Sequence, residues 1–272
     1  MMHRRDFIKK ASSAFLILSN GRLLSLAGGH DDALEKDVVL RFAVASDGHY
    51  GQKDTAYEKY FSDVVANING QHEKEAFDFC VINGDIIHDD KTLYPAAKSA
   101  LDKLSVKYYV SQGNHDHVTA DEWNQIWNMQ VNHDFSINKN AFLIGTTSDE
   151  KGSYLCPDLA WFQEKLDEYK DKKNVFIFIH INPVKQTNNA VDCPEFFDLL
   201  SKYKNIKAVF NGHDHDQDSI KVKNEVPFIF DAHFGGNWGT AYRGYRIVEL
   251  RKDNSLLTYI LNPIDKLNEQ TI

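Results

Sequence analysis

Val38-Val39-Leu40-Arg41-Phe42-Ala43-Val44-Ala45-Ser46-Asp47-Gly48-His49 is the stretch from which the fold can be read. Its first eight residues are apolar except for Arg41 and rich in valine, the pattern of a buried strand. A polar tetrad with an acid, a glycine and a histidine follows at once. Asp47 and His49 are two apart, so in an extended segment their side chains point the same way. The same arrangement recurs down the chain. Phe79 to Ile82 is followed by Asn83-Gly84-Asp85, and Val106 to Val110 by Gly113-Asn114-His115-Asp116. Val175 to Ile179 leads into His180, and Ile206 to Phe210 into Asn211-Gly212-His213-Asp214-His215.

Helical spacing fills the intervals between these strands. Thr55 to Ile68 carries Tyr57, Tyr60, Phe61, Val64, Val65 and Ile68 on one stripe, with Asp54 as the expected N-cap. Pro95–Leu104, Ala120–Met129, Pro157–Tyr169 and Pro194–Tyr203 read as further helices, and Ala141–Ile144 as another strand. Trp123 and Trp127, four apart, belong to a core-facing stripe. Val226–Phe230, Tyr245–Leu250 and Leu256–Leu261 are strands at the end of the chain. Alternation followed by strands predicts an α/β domain over 37–262 whose sheets end in antiparallel pairs. In such sheets ligands collect beyond the carboxyl ends of strands, where all five polar clusters fall.

One such cluster is an ordinary turn; five, each behind a buried strand, form a site. Imidazole, carboxylate and amide donors together suit borderline to hard divalent or trivalent ions such as Mn, Fe or Zn. Two ions about 3.5–4 Å apart can clamp both oxygens of an in-line displacement at phosphorus. A carboxylate such as Asp85 can bridge them.

The order Asp-x-His, Gly-Asp, Gly-Asn-His-Asp, His, Gly-His-x-His resembles the signature of the calcineurin-like metallophosphoesterases, from Val38 to His215. The resemblance implies a two-layered mixed β-sandwich flanked by helices, in a single domain. It also implies a first metal ion on Asp47, His49, Asp85 and His215, and a second on Asp85, Asn114, His180 and His213. A bridging hydroxide would attack phosphorus. His115 would contact phosphate and protonate the leaving oxygen, with Asp116 as its orienting partner. Where the purple acid phosphatase branch has a tyrosine this chain has His88, which speaks against a tyrosinate-bound ferric site. Asp89 and Asp90 stand near, but out of line with, an aspartate of the cyclic-nucleotide phosphodiesterase branch. His117 and Asp216 fall just outside the signature and read as surface or supporting residues.

The glycine-rich segment Phe234-Gly235-Gly236-Asn237-Trp238-Gly239 is the expected substrate wall. Trp238 is placed to stack on a ring, and Arg243 to meet a phosphate. The substrate expected is a small phosphodiester or phosphomonoester. Net charge is −8, and residues 1–27 hold five Lys/Arg against one acid, which leaves −12 for the body. An acidic body lacks the basic footprint that nucleic-acid binding needs, which disfavours a nuclease. A metal-binding scaffold without catalysis would have lost ligands or the acid, and here every element is present.

The N-terminus has the three parts of an export signal. Arg4-Arg5 and Lys9-Lys10 are followed by an apolar stretch from Ala11 to Leu18, a second apolar patch and small residues near Ala27. The paired arginines before Asp6-Phe7-Ile8-Lys9 resemble a bacterial twin-arginine signal. This predicts passage through the twin-arginine translocase, cleavage after a 1–27 leader and residence in the periplasm or outside the cell. No apolar run reaches the roughly 20 residues of a membrane span. Of three cysteines, Cys80 lies in a buried strand, and an odd number allows one disulfide with a thiol left over.

Overall fold

The computed structural model describes residues 15–19, 22–26, 37–262 and 265–272. Phe15–Ser19 (β1) and Arg22–Leu26 (β2) pair antiparallel. The paired arginines and the processing point expected near Ala27 lie outside the described residues.

The body then runs Val38–Ala45 (β3), Tyr57–Lys74 (α1), Phe79–Asn83 (β4), Tyr94–Leu101 (α2), Tyr108–Ser111 (β5) and Ala120–Trp127 (α3). Next come His133–Ile137 (β6), Asn140–Gly145 (β7), Leu159–Glu168 (α4), Asn174–Ile179 (β8), Pro194–Leu200 (α5) and Ile206–Asn211 (β9). Ile220–Lys223 (β10), Val226–Phe230 (β11), Tyr245–Arg251 (β12), Leu256–Asn262 (β13) and Asp265–Thr271 (β14) close the chain. Two six-stranded sheets result, ordered β14-β13-β12-β3-β4-β5 and β10-β11-β9-β8-β7-β6. The first holds β3, β4 and β5 in parallel, the second β7, β8, β9 and β11.

Strand alternation sorts side chains into three apolar layers. In β3, Leu40, Phe42 and Val44 face the layer between the sheets, while Ala43 and Ala45 face the helices. Phe42 stacks on Phe79 at 4.8 Å and meets Phe142, Phe176, Phe178 and Phe210 edge-on, so it centres the inner layer. Phe61, Val64, Val65 and Ile68 of α1 cover the outer face of the first sheet, where Trp123 and Trp127 are also buried. Phe162, Leu166, Phe196 and Leu200 of α4 and α5 cover the outer face of the second. This is the two-layered mixed sandwich with flanking helices. Both sheets are covered on both faces, as parallel strands require.

Three strands of the two large sheets escaped the sequence pattern, β6, β10 and β14, as did the β1–β2 pair within the expected leader. Each of the three is a sheet edge, and β14, DKLNEQT, has no buried residue. It also carries the sheet beyond residue 262. Asp54 does not cap α1; Ala56 occupies that position and no side-chain bond is made there.

Candidate metal centre and its walls

The loop after β3 is zipped to the loop after β4 by backbone bonds. Asp47 N donates to Gly84 O, His49 N to Asp85 O and Tyr50 N to Ile86 O. Asp47, His49, Asp85 and His213 all have positive φ, a conformation that L-residues adopt rarely and that clusters at functional sites. Two glycines make room for them. A Cβ on Gly84, whose φ is +84°, would lie 2.4 Å from the His180 ring, and one on Gly113 would lie 2.2 Å from the Asp85 carboxylate.

These turns bring the predicted ligands together. His49 Nε2 and His215 Nε2 lie 3.0 Å apart, and Asp47 Oδ1 is 3.1 Å from His215 Nε2. Asp85 Oδ2 stands 3.1 Å from His180 Nε2 and 3.7 Å from His49 Nε2, so one oxygen faces both halves of the cluster. Asp47–His49–His215 and Asp85–His180–His213 each form a group able to hold an ion. Asn114 Oδ1, His180 Nε2 and His213 Nε2 are buried and have no hydrogen-bond partner. Buried polar atoms in folded proteins are nearly always bonded, so three such donors around two carboxylates fit a pair of cations.

Supporting bonds fix which ring nitrogen faces inward. His180 Nδ1 lies 2.7 Å from Asn83 O, and His215 Nδ1 3.2 Å from Trp238 O. His49 Nδ1 lies 3.0 Å from His88 Nδ1. Electrostatics agree with a site built for positive charge. Burial pushes Asp47 and Asp85 up, yet the neighbouring imidazoles outweigh it and hold both below the usual carboxylate range. Burial depresses His180, but Asp85 and Asp47 outweigh it and raise that imidazole to about 10. Burial lowers His49 to about 3.

His115 stands outside both of these groups and forms a third one with His49 and His88, sharing His49 with the first. Its ring stacks on His88 at 4.8 Å, and its Nδ1 lies 2.7 Å from Asp89 Oδ1. Asp116, the partner expected from the sequence, does something else. Its buried carboxylate accepts bonds from Gly113 N, Ile86 N and Ile87 N, which ties the loops after β4 and β5. Burial and the charge of Asp85 raise it to about 7. Asp89, with φ 65°, is the carboxylate that reaches His115. His88 and Asp89 are thus site residues that motif order alone did not assign. Their one sequence signal was position, three and four residues after Asp85.

Trp238 lies flat on His215, with ring centres 4.2 Å apart and planes 11° apart, and its centre is 4.9 Å from His49. Arg243 is placed elsewhere. Its guanidinium sits 4.0 Å over the Tyr60 ring and donates to Gly236 O. It therefore braces the glycine-rich loop against α1, and no contact brings it to the cluster. Cys156 and Cys193 form a disulfide, and Cys80 is the buried free thiol.

Known proteins share both the sequence and the fold. The sequence profile of the calcineurin-like phosphoesterases matches residues 40–217. A probable glycerophosphodiester phosphodiesterase of Arcobacter nitrofigilis is 30% identical over 195 residues, 63% of this chain and 68% of that one. A probable cyclic nucleotide phosphodiesterase of Coxiella burnetii is 26% identical over 211 residues, 70% of this chain and 82% of its own. A dimetal phosphatase from Danio rerio superposes with a TM-score of 0.66 at 15% identity, covering 87% of this chain and 99% of that one. The profile covers the strands and loops that assemble the cluster, and the chain belongs to the calcineurin-like phosphoesterases, hydrolases of phosphoric esters.

Proposed function

We propose that the protein hydrolyses small organic phosphodiesters at a two-cation centre. The carrying observation is the pair of close groups Asp47–His49–His215 and Asp85–His180–His213, beside which Asn114 Oδ1 and His213 Nε2 are buried without hydrogen-bond partners. Asp47, His49, Asp85 and His215 would hold one cation, and Asp85, Asn114, His180 and His213 the other. Bound there, the pair supplies Lewis acidity toward phosphate oxygens and a nucleophile at neutral pH. His115 touches the phosphate and gives a proton to the departing oxygen. Asp89 accepts from Nδ1–H and leaves Nε2 toward the phosphate; the ring protonated on both nitrogens is the form that gives the proton, from Nε2–H. The phosphodiesterase names of the curated relatives support a diester over a monoester. The acidic body supports a small substrate over nucleic acid.

Export to an oxidising compartment belongs to the same proposal. The basic, apolar leader motivates it, and the Cys156–Cys193 disulfide supports it, since such bonds persist outside the reducing cytosol. No helix of the described residues is long and apolar enough to cross a membrane.

The direct test loads purified protein with Mn, Fe or Zn and compares aryl diesters, aryl monoesters and cyclic nucleotides. Higher kcat/KM on diesters is expected. Metal-loaded protein that turned over none of them would overturn the proposal, and preference for monoesters would reassign the substrate.

A further inference from the structure

Six large apolar side chains are exposed among the described residues, and two of them lie against histidines of the metal centre: Tyr154 (47%) and Trp238 (42%). They come from two different loops. Trp238 lies flat on His215, so one indole face is covered and the other is free. Tyr154 meets His213 edge-on, 5.0 Å between ring centres with planes at 89°. His213 and His215 belong to different groups of the cluster, so each exposed ring stands beside a different half of it.

Tyr154 is held in place by its backbone and not by its ring. Asp149 Oδ1 accepts bonds from Lys151 N and Ser153 N and closes a tight turn. Gly152, with φ +76°, packs so closely that a Cβ would lie 2.6 Å from Asn114 O. Leu155 N donates to Thr147 O, and the next residue, Cys156, is cross-linked to Cys193. A turn anchored at these points presents an aromatic ring to solvent beside a predicted ligand. Exposed apolar surface concentrated at one rim marks a binding surface.

We propose that Tyr154 and Trp238 are opposite walls for the two ester arms of a phosphodiester, and that Tyr154 selects a flat ring on the arm the product retains. This rests on the phosphodiesterase function proposed above. The assignment of arms follows from shared neighbours. His115, which serves the leaving oxygen, lies 4.9 Å from the His49 ring and 4.8 Å from that of His88. Trp238 lies 4.9 Å and 6.4 Å from the same two rings. Trp238 therefore flanks the leaving arm. Tyr154, beside His213, flanks the retained one. The substrate class is a phosphodiester whose retained group is an aryl or nucleobase-like ring, and the Cys156–Cys193 bond is a positioning element for that wall.

Two diesters with the same 4-nitrophenyl leaving group, one retaining a phenyl and the other a methyl group, test this on metal-loaded protein. Wild type should favour the phenyl ester. Tyr154→Ala should lower kcat/KM for it about tenfold more than for the methyl ester, through KM, the scale of one aromatic stack. Tyr154→Phe should behave as wild type. Product inhibition gives a second readout: Tyr154→Ala should weaken phenyl phosphate about tenfold and leave methyl phosphate unchanged. The paired variant Cys156→Ser with Cys193→Ser should reproduce the Tyr154→Ala pattern. If wild type hydrolysed both esters and Tyr154→Ala altered them equally, or neither, the wall assignment would be overturned while the phosphodiesterase function stood. Hydrolysis of neither ester by metal-loaded wild type would instead overturn that function.

Discussion

A histidine that must deliver a proton needs its far nitrogen fixed, and here Asp89 does this from a residue of positive φ. Asp116 is nearer in sequence, but its oxygens are occupied by three backbone N–H groups. His115 and Asp85 should therefore fail in different ways. Asp85→Asn removes a charge that both cations share and should cost metal content and nearly all turnover. His115→Asn should keep both metals by elemental analysis yet lose roughly 10²–10⁴-fold in rate, the scale of a general acid. The loss should be smallest for a nitrophenolate leaving group, which needs little protonation, and largest for an alkyl one. Equal losses on both would make His115 a phosphate anchor instead. Loss of a metal ion in His115→Asn would mean that it is a ligand. Asp89→Asn should repeat the His115 pattern more weakly, and Asp116→Asn should act on stability instead, since it ties two loops.

Elements decide how much of this could be read in advance. Buried strands announce themselves as apolar runs, and the polar clusters that follow β3, β4, β5, β8 and β9 stand out against them. Six of the seven predicted ligands fall into two groups of close side chains. Edge strands carry no such signal: Ile220–Lys223 alternates charge and Asp265–Thr271 is polar throughout. Partners chosen by tertiary structure were also invisible. Cys156 and Cys193 are 37 residues apart, and nothing in either segment names the other. Arg243 read as a phosphate contact by residue type alone, but the face of Tyr60 on α1 claimed it. A second hidden partnership joins the sheets. Asp231, just past β11, lies 3.3 Å from Arg246 Nε of β12 and 3.1 Å from Asn83 Nδ2 of β4, all buried. Burial outweighs these partners and pushes its carboxyl from 3.8 up to about 7. A carboxyl that binds its proton more tightly when folded contributes stability that is full below its unfolded value and is lost as pH rises through its folded one. Asp231→Asn keeps the shape and abolishes the titration. Relative to wild type it should gain stability as pH rises from about 4 to about 7 and hold that gain above, read from urea midpoints. A variant that lost ground as pH rose would show that the ion pair outweighs its desolvation.

At the scale of the molecule, the centre is where the two sheets meet. Asp47, His49, Asp85 and Asn114 follow strands of one sheet; His180, His213 and His215 follow strands of the other. A cation shared by such ligands cross-links both layers at one end of the sandwich. The site also gathers buried amide and imidazole atoms, Asn114 Oδ1 and His213 Nε2 among them, that lack hydrogen-bond partners, an arrangement that a bound cation would relieve. Metal loading should therefore act as a stability term and not only as a switch for turnover. A ligand at about 1,000 times its Kd adds roughly 4 kcal/mol, which for a chain of this size raises Tm by on the order of 10 °C. Calorimetry of the full chain before and after chelation measures this directly. Mn or Zn restored to the apoprotein should return the lost degrees, with two ions bound per chain. Asp85→Asn, which disables both positions, should start from the apoprotein Tm and gain little on the same titration. His115→Asn should gain as much as wild type, because its side chain is in neither proposed ligand set. A full rise in Asp85→Asn would show that one cation suffices to join the sheets, and the bridging role of Asp85 would then have to be given up.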